Sequence, residues 1–352
     1  MIDELRLQNF KGHRDTTVRL GRMCLLVGPN GSGKTSALEA LDALGRVGAG
    51  SFPWKDSRAW YDAHVHRGDR CAMALGARGV VGSAPVDVTL TLAPAAAVPG
   101  ELLESLEWHV GMVPHGTRGG FPVEFPSSAG GRLVQGAVLL RPDAARIAAP
   151  SLLRSPTPSV EADGYGTASV LATIRLRDLP SFERIEGLVR RVAPAVEGIQ
   201  VETAQAGDGV GFRVTFNVRG ASNLPAEAVS AGTLVTLALA TALHATPMPR
   251  LLLLDELDHS LHPKAQLELV RQLRALVEAR DDLQIVATTH SPYVLDAFFL
   301  DEVRVFAQRP NGSVAVKELR EHPEAARLRE VLSPAQLWSL DDEASWVVGA
   351  AG

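Results

Sequence analysis

Cysteine is almost missing: Cys24 and Cys71 are the only two in 352 residues. Two thiols are too few for a disulfide framework, and the expected compartment is a reducing one, the cytoplasm. Long apolar runs are missing as well. The longest, Leu234 to Leu243, carries Thr236 and Thr241 and falls well short of the roughly 20 residues that span a bilayer. The opening MIDELRLQNF holds acids where a secretory signal has a basic and then an apolar stretch. No membrane role is expected. Lysine is scarce, and Asp plus Glu (40) exceed Lys plus Arg (35), leaving a net charge of −5. No global positive field draws such a chain to nucleic acid, so any contact of that kind needs a local patch or a partner. There is no internal repeat and no heptad run of coiled-coil length. What remains is ordinary globular composition, 46% hydrophobic and 21% charged, enough for one large core or two modest ones.

Texture divides the chain. Residues 1–48 alternate short apolar strands (Ile2 to Gln8, Thr16 to Leu20, Met23 to Val27) with tight turns, followed by a helix from Lys34. Residues 49–222 are rich in Gly, Pro, Ser and Ala, with strand-like stretches at 86–92 and 133–140. Within them, 181–194 reads as an amphipathic helix entered through Ser181 and stopped by Pro194, and 211–218 alternates as a half-buried strand. From 223 the α/β texture returns: a helix over about 231–245, a buried strand at 251–255, a helix from Pro263, a buried strand at 283–289, and a tight turn at 310–312. The expected organisation is one α/β core made of 1–48 and 223–318, a mixed α+β insertion at 49–222, and a C-terminal helical tail at 319–352.

Gly28 to Thr35, GPNGSGKT, fits G-x-x-x-x-G-K-[ST] and lies between an apolar strand and a helix, the context in which that pattern cradles phosphates. Glycines let backbone N–H groups approach the oxygens, and the helix start adds partial positive charge. Asn30, Gly31, Ser32, Gly33, Lys34, Thr35 and Ser36 are therefore the candidate nucleotide contacts. Lys34 supplies a point charge, and Thr35 a hydroxyl for Mg²⁺.

Four leucines lead into Asp255 and Glu256. An apolar run cannot carry two carboxylates into a core, because each would be buried without a partner. The acids must emerge at the carboxyl end of the strand, where open α/β sheets bind ligands. Asp255 is the candidate Mg²⁺ residue, directly or through water, and Glu256 the candidate general base on the attacking water. His290, in TTHSP, follows the buried strand 283–289, so it too falls on that edge, within reach of a γ-phosphate. In isolation each has a plainer reading, the acids as a cap on the next helix and the histidine as a structural residue. A metal site of His259, His262 and His290 has no ligand spacing behind it.

VSAGT, Val229 to Thr233, opens the helix before the acid strand, with Ser230 as its N-cap. Cradle, Ser-x-Gly helix start, acid strand and downstream histidine, in this order, resemble the ATP-binding-cassette (ABC) ATPases. The opening LRLQNFKGHRDTTVRL and the long gap from Lys34 to Ser230 resemble the RecF, SMC and OLD-like branch rather than transporter subunits. LLRPDAARIAAPS followed by GYGTASVLATI is similar to the stand-alone AAA domains of the AbiEii-toxin and OLD-like group, over most of the chain.

The resemblance implies an ABC-type α/β ATPase head that hydrolyses ATP with Mg²⁺. It also implies a homodimer with shared sites, in which Ser230, Gly232 and Thr233 of one copy reach the γ-phosphate held by the other. Members of that group lie in bacterial genomes, some in anti-phage defence loci beside a nuclease. The stretch after Gln308 is too short for the Toprim nuclease of longer relatives, so an effector such as a nuclease is expected on a partner encoded nearby. The chain departs from the pattern at Leu257, where Pro is usual, at Ser260, where Gly is usual, and at Ala231 inside the signature. None of these removes a reacting group, so slower or differently coupled hydrolysis is expected. For the water- and metal-contacting glutamine of the family, Gln135 is a weak match. The alternatives are a DNA-maintenance ATPase of RecF type, for which Arg132, Arg141, Arg146, Arg154, Arg184, Arg190 and Arg191 would form a basic surface, and a transporter's nucleotide-binding subunit.

Overall fold

The computed structural model describes residues 1–66, 71–95, 102–118, 124–153, 158–328 and 330–349. Two compact units emerge, Met1–Ala137 with Asp282–Gly352, and Val138–Asp281. These boundaries differ from a division at 48/49 and 222/223. The reason lies in strand pairing: the first half of the expected insertion hydrogen-bonds to the chain's own first strand.

In the first unit, β1 (Ile2–Phe10) and β2 (His13–Arg19) form an antiparallel pair closing at Phe10 opposite His13. β3 (Met23–Val27) is buried throughout, and α1 (Lys34–Gly48) and α2 (Ser57–His64) follow. Then come β4 (Met73–Val81), β5 (Ala84–Pro94), β6 (Leu102–Val110), β7 (Val113–Arg118) and α3 (Ala129–Val134). Strands β4 to β7 add to β1 in an antiparallel sheet of order β2-β1-β4-β5-β6-β7. In β5, Val86, Val88, Leu90 and Leu92 are buried, the two-residue period of a half-buried strand. The stretch 133–140 is not one strand. Ser128 caps α3, which takes in Leu133 and Val134, and Gly136 turns the chain at φ +81° before the next strand begins.

The second unit begins with β8 (Ala137–Leu140) and α4 (Ala144–Ala148), followed by α5 (Thr167–Arg177) and α6 (Leu179–Val192). Helix α6 starts two residues earlier than expected. Asp178, not Ser181, is its cap, accepting from Ser181 N at 3.1 Å, with Pro180 in the first turn. β9 (Val196–Ala206), β10 (Gly209–Val218) and β11 (Ala221–Pro225) form an antiparallel sheet. α7 (Ala231–Leu243) is buried from Gly232 to its end. That suits a helix apolar on every face and packed among α4, α5 and α6. β12 (Leu251–Leu254), which pairs with β8, is buried at all four residues, and α8 (Pro263–Ala279) opens with Pro263 at a first-turn position.

The chain then returns to the first unit with β13 (Gln284–Thr288), α9 (Pro292–Leu295), β14 (Val303–Gln308), β15 (Val314–Glu318), α10 (Ala325–Leu328) and α11 (Pro334–Trp338). β3 runs between β13 and β14, parallel to both, and β15 pairs antiparallel with β14 around the expected turn at Gly312 (φ +75°). Gln284, buried at the start of β13, ties this sheet to β1. Its amide accepts from Ile2 N and donates to Ile2 O and Gly21 O. Among the described residues, no helix is long and apolar enough to cross a membrane.

Candidate functional site

The cradle begins where β3 ends. Because β13 and β14 flank β3 in parallel, the three carboxyl ends share one edge of the sheet. Gly28 leaves that edge at φ +137°, and a Cβ there would stand 2.2 Å from Phe306 O of β14. Only glycine fits so close to a neighbouring backbone. Gly33 (φ +101°) starts α1, and Lys34 is its first residue, 6% exposed. The Lys34 ammonium donates to Gly28 O at 2.7 Å and Pro29 O at 2.9 Å, which places a cation over the loop. Ser32 Oγ is buried without a hydrogen-bond partner. A buried hydroxyl of this kind is costly unless something satisfies it, and a phosphate oxygen would. Asn30, Gly31 and Thr35 are exposed, and Ser36 is half-buried. A triphosphate fits this donor set: backbone N–H groups, one ammonium, and Thr35 for a metal.

Two supports of the cradle had no signal in the sequence. Gln308, the last residue of β14, donates through Nε2 to Gly31 O at 2.7 Å. His13, the first residue of β2, is fully buried, and its Nε2 lies 3.1 Å from Gly33 O. Burial lowers its pKa to about 4, so it is neutral in the folded protein. The unfolded chain, with His13 near 6.5, then binds more protons between pH 6.5 and 4. The stability that depends on neutral His13 is therefore complete above pH 6.5 and lost as pH falls towards 4, by up to roughly 3 kcal/mol. Urea unfolding across this range should show that slope, and His13→Gln should flatten it. Equal slopes in the two proteins would exclude His13.

His290 lies exposed just beyond β13, on the cradle's sheet edge, with Thr288 opposite Leu26 of β3. Ser291 N donates to Thr289 Oγ1 at 3.0 Å, fixing the turn that presents it. Gln135 is elsewhere: its backbone packs against Gly48, at the far end of the 15-residue helix α1. That helix is about 20 Å long, which removes Gln135 as a contact for nucleotide held at the helix start.

In the second unit, β12 delivers Asp255 and Glu256 together but to different environments. Asp255 is 8% exposed, and its N–H donates to Leu140 O of β8 at 3.0 Å. Its carboxylate pairs with Arg141, Nε to Oδ2 at 2.9 Å. Glu256 takes a left-handed backbone (φ +56°) that turns its side chain out to 61% exposure, 3.7 Å from His259 Nδ1. Left-handed glutamate is strained, and such strain persists where the surrounding structure holds it. One acid is thus nearly enclosed beside Arg141 and the other stands exposed. Leu257 turns back inward beside Val235, Leu239 and Leu269, an apolar pocket in which its side chain is buried. Gln266 ties down the following loop, donating to Asp258 O and Leu261 O.

Ser230 caps α7: its Oγ accepts from Thr233 N at 3.2 Å and meets Thr233 Oγ1 at 2.8 Å. Gly232 has a packing reason as well, since a Cβ there would stand 2.7 Å from Ser260 O. Ser260 is itself left-handed (φ +62°), a conformation that glycine takes at less cost. Ser260→Gly relieves about 1–2 kcal/mol of backbone strain against about 0.5–1 kcal/mol of added chain entropy. Urea unfolding should show a net gain of up to about 1.5 kcal/mol, and a loss of stability would contradict the reading.

The chain matches two family models, "AAA ATPase domain" over residues 1–59 and "AAA domain, putative AbiEii toxin, Type IV TA system" over residues 141–296. Among solved structures, it is similar to an SmcHead bound to the C-winged helix domain of ScpA, with TM-score 0.61 and 15% identity. The match covers 90% of this chain and 98% of that one. The fold is that of an SMC-type ATPase head. No curated protein matches the sequence. In this fold, the arginines expected to form a basic surface are engaged within the chain, among the described residues. Arg146 pairs with Asp163 and Arg190 with Glu186, while Arg191 donates to Gln272 Oε1, Arg184 to Ser181 Oγ, and Arg132 to Ser127 O. Arg141 is on Asp255, and Arg154 lies outside the described residues.

Proposed function

We propose that this ATPase head is a nucleotide-driven switch. Two copies close head to head around two Mg²⁺-ATP molecules. In each site, Asn30 to Ser36 hold the phosphates, Thr35 and Asp255 hold the metal, Glu256 takes the proton of the attacking water, and His290 orients it. Ser230, Gly232 and Thr233 of the other copy complete the site. Hydrolysis parts the heads. The cycle gates a partner effector, such as a nuclease encoded nearby, in bacterial anti-phage defence. The observation that supports this reading is that one chain has two separate glycine-containing helix starts, Gly33–Thr35 at α1 and Ser230–Thr233 at α7. A second anion site at a helix start suits a phosphate supplied by another copy. ATP then binds the closed state preferentially, as a switch requires. That the similar SmcHead is bound to a winged-helix domain supports a protein partner. The paired arginines favour this over a RecF-type reading in which the head grips DNA directly.

The shared site is tested by complementation. Ser230→Arg puts bulk and charge at the seam, and is expected to spare ATP binding but abolish hydrolysis and dimerisation by light scattering. Mixed with inactive Lys34→Ala protein, it should recover partial activity, because one site of the mixed dimer keeps an intact cradle and an intact Ser230 segment. Normal turnover by monomeric Ser230→Arg protein would sink the shared-site mechanism and leave Ser230 as a helix cap.

A further inference from the structure

Strand β14 pairs with β3 and meets the loop that follows β3 at two points. A Cβ on Gly28 would stand 2.2 Å from Phe306 O, and two residues further along β14 Gln308 Nε2 donates to Gly31 O at 2.7 Å. The backbone of Gln308 is fixed: it lies opposite Val314 in the β14–β15 ladder, and just beyond it Arg309 N donates to Ser313 O at 2.8 Å. Val314 reaches the same loop, since a Cβ on Gly33 would stand 2.9 Å from its Cγ2. Gln308 is exposed, so water is open to its amide, yet the amide is set on a backbone carbonyl 277 residues away in the chain.

The carbonyl held in this way belongs to the peptide joining Gly31 to Ser32. Gly31 takes φ +77°, and without a Cβ on that side little opposes rotation of the peptide as a unit. The peptide is planar and trans, so its C=O and N–H point in opposite directions. With the oxygen drawn outward by Gln308, the Ser32 N–H faces the inside of the loop. There it lies 3.2 Å from Pro29 O, the carbonyl that also accepts from Lys34. A half-turn of the peptide would put an oxygen in that place, facing an incoming anion. Resting on the reading of Gly28 to Thr35 as the phosphate cradle, we propose that Gln308 is a positioning residue for it. Gln308 does not touch the nucleotide; it keeps this peptide turned so that its N–H, and not its oxygen, meets the phosphates. The loop is thereby shaped for a phosphate chain before one arrives, which lowers the ordering cost of binding.

The probe is inorganic tripolyphosphate, which has a phosphate chain but no base or sugar. Its affinity for the full chain, and that of ATP, are measured by calorimetry in wild type, Gln308→Met and Gln308→Asn. Methionine keeps the length of the side chain and loses the donor; asparagine keeps the amide but is one methylene short of Gly31 O. Both variants are expected to bind both ligands about three- to tenfold more weakly, the weight of one hydrogen bond. The factor should be the same for the two ligands, since nothing at the base changes. The melting temperature should stay at the wild-type value, because Gln308 is exposed at a strand end. If the methionine protein does not fold, the asparagine protein carries the comparison. Wild-type affinity in either folded variant overturns the proposal, and a lowered melting temperature with affinity unchanged would leave Gln308 a structural contact only. Lys34→Ala, measured in the same series, separates the two levels. If it binds both ligands as tightly as wild type, the reading of the loop fails; if it binds them weakly while Gln308→Met is unchanged, only the role of Gln308 fails.

Discussion

Glu256→Gln is expected to keep ATP bound while turnover falls by about 10²–10⁴, the usual contribution of a positioned general base. The amide keeps the length and shape of the side chain, so the left-handed turn at φ +56° has no new reason to collapse. What it loses is the ability to take a proton from water. Bound ATP then persists, and an ATP-dependent dimer should accumulate on a sizing column where wild type gives mostly monomer. The placement favours this role over Asp255: Glu256 is 61% exposed, whereas Asp255 is almost enclosed and paired with Arg141. Hydrolysis at the wild-type rate would remove Glu256 as the base.

Lys34→Ala is expected to weaken ATP binding by at least about 10²-fold in calorimetry, because hydrogen bonds to charged groups contribute roughly 1.5–3 kcal/mol each. The structure adds a condition to that test. Lys34 also donates to Gly28 O and Pro29 O, so truncation removes one donor from each, although Ser32 N still donates to Pro29 O at 3.2 Å. Thermal unfolding of the variant therefore has to be measured alongside. A stable variant with unchanged ATP affinity would show that the phosphates are held elsewhere.

The extent to which these sites are legible in the sequence follows from how local their causes are. Gly28 to Thr35 can be read directly, because loop, cation and helix start lie within eight consecutive residues. Ser230 as the cap of α7 is equally local, needing only Thr233 three residues on. Helix α6 was displaced by two residues because Asp178 competes successfully with Ser181 for the cap. Arg141 was legible only as one basic residue among many, since its partner Asp255 is far along the chain and meets it through strand pairing. His13 and Gln308 were invisible for the same reason: each touches the cradle from a different strand.

By itself the sequence determined the phosphate cradle, the emergence of Asp255 and Glu256 from an apolar strand, and the helix start at Ser230. Each depends on backbone freedom, burial or capping within a few neighbouring residues. Tertiary structure alone decided that strands β4 to β7 extend the sheet begun by β1, that Gln135 lies at the wrong end of α1, and that Arg141 pairs with Asp255. These depend on which distant strands pair and in what register. Pairing of that kind is set by the burial of whole sheet faces, not by any short stretch of residues.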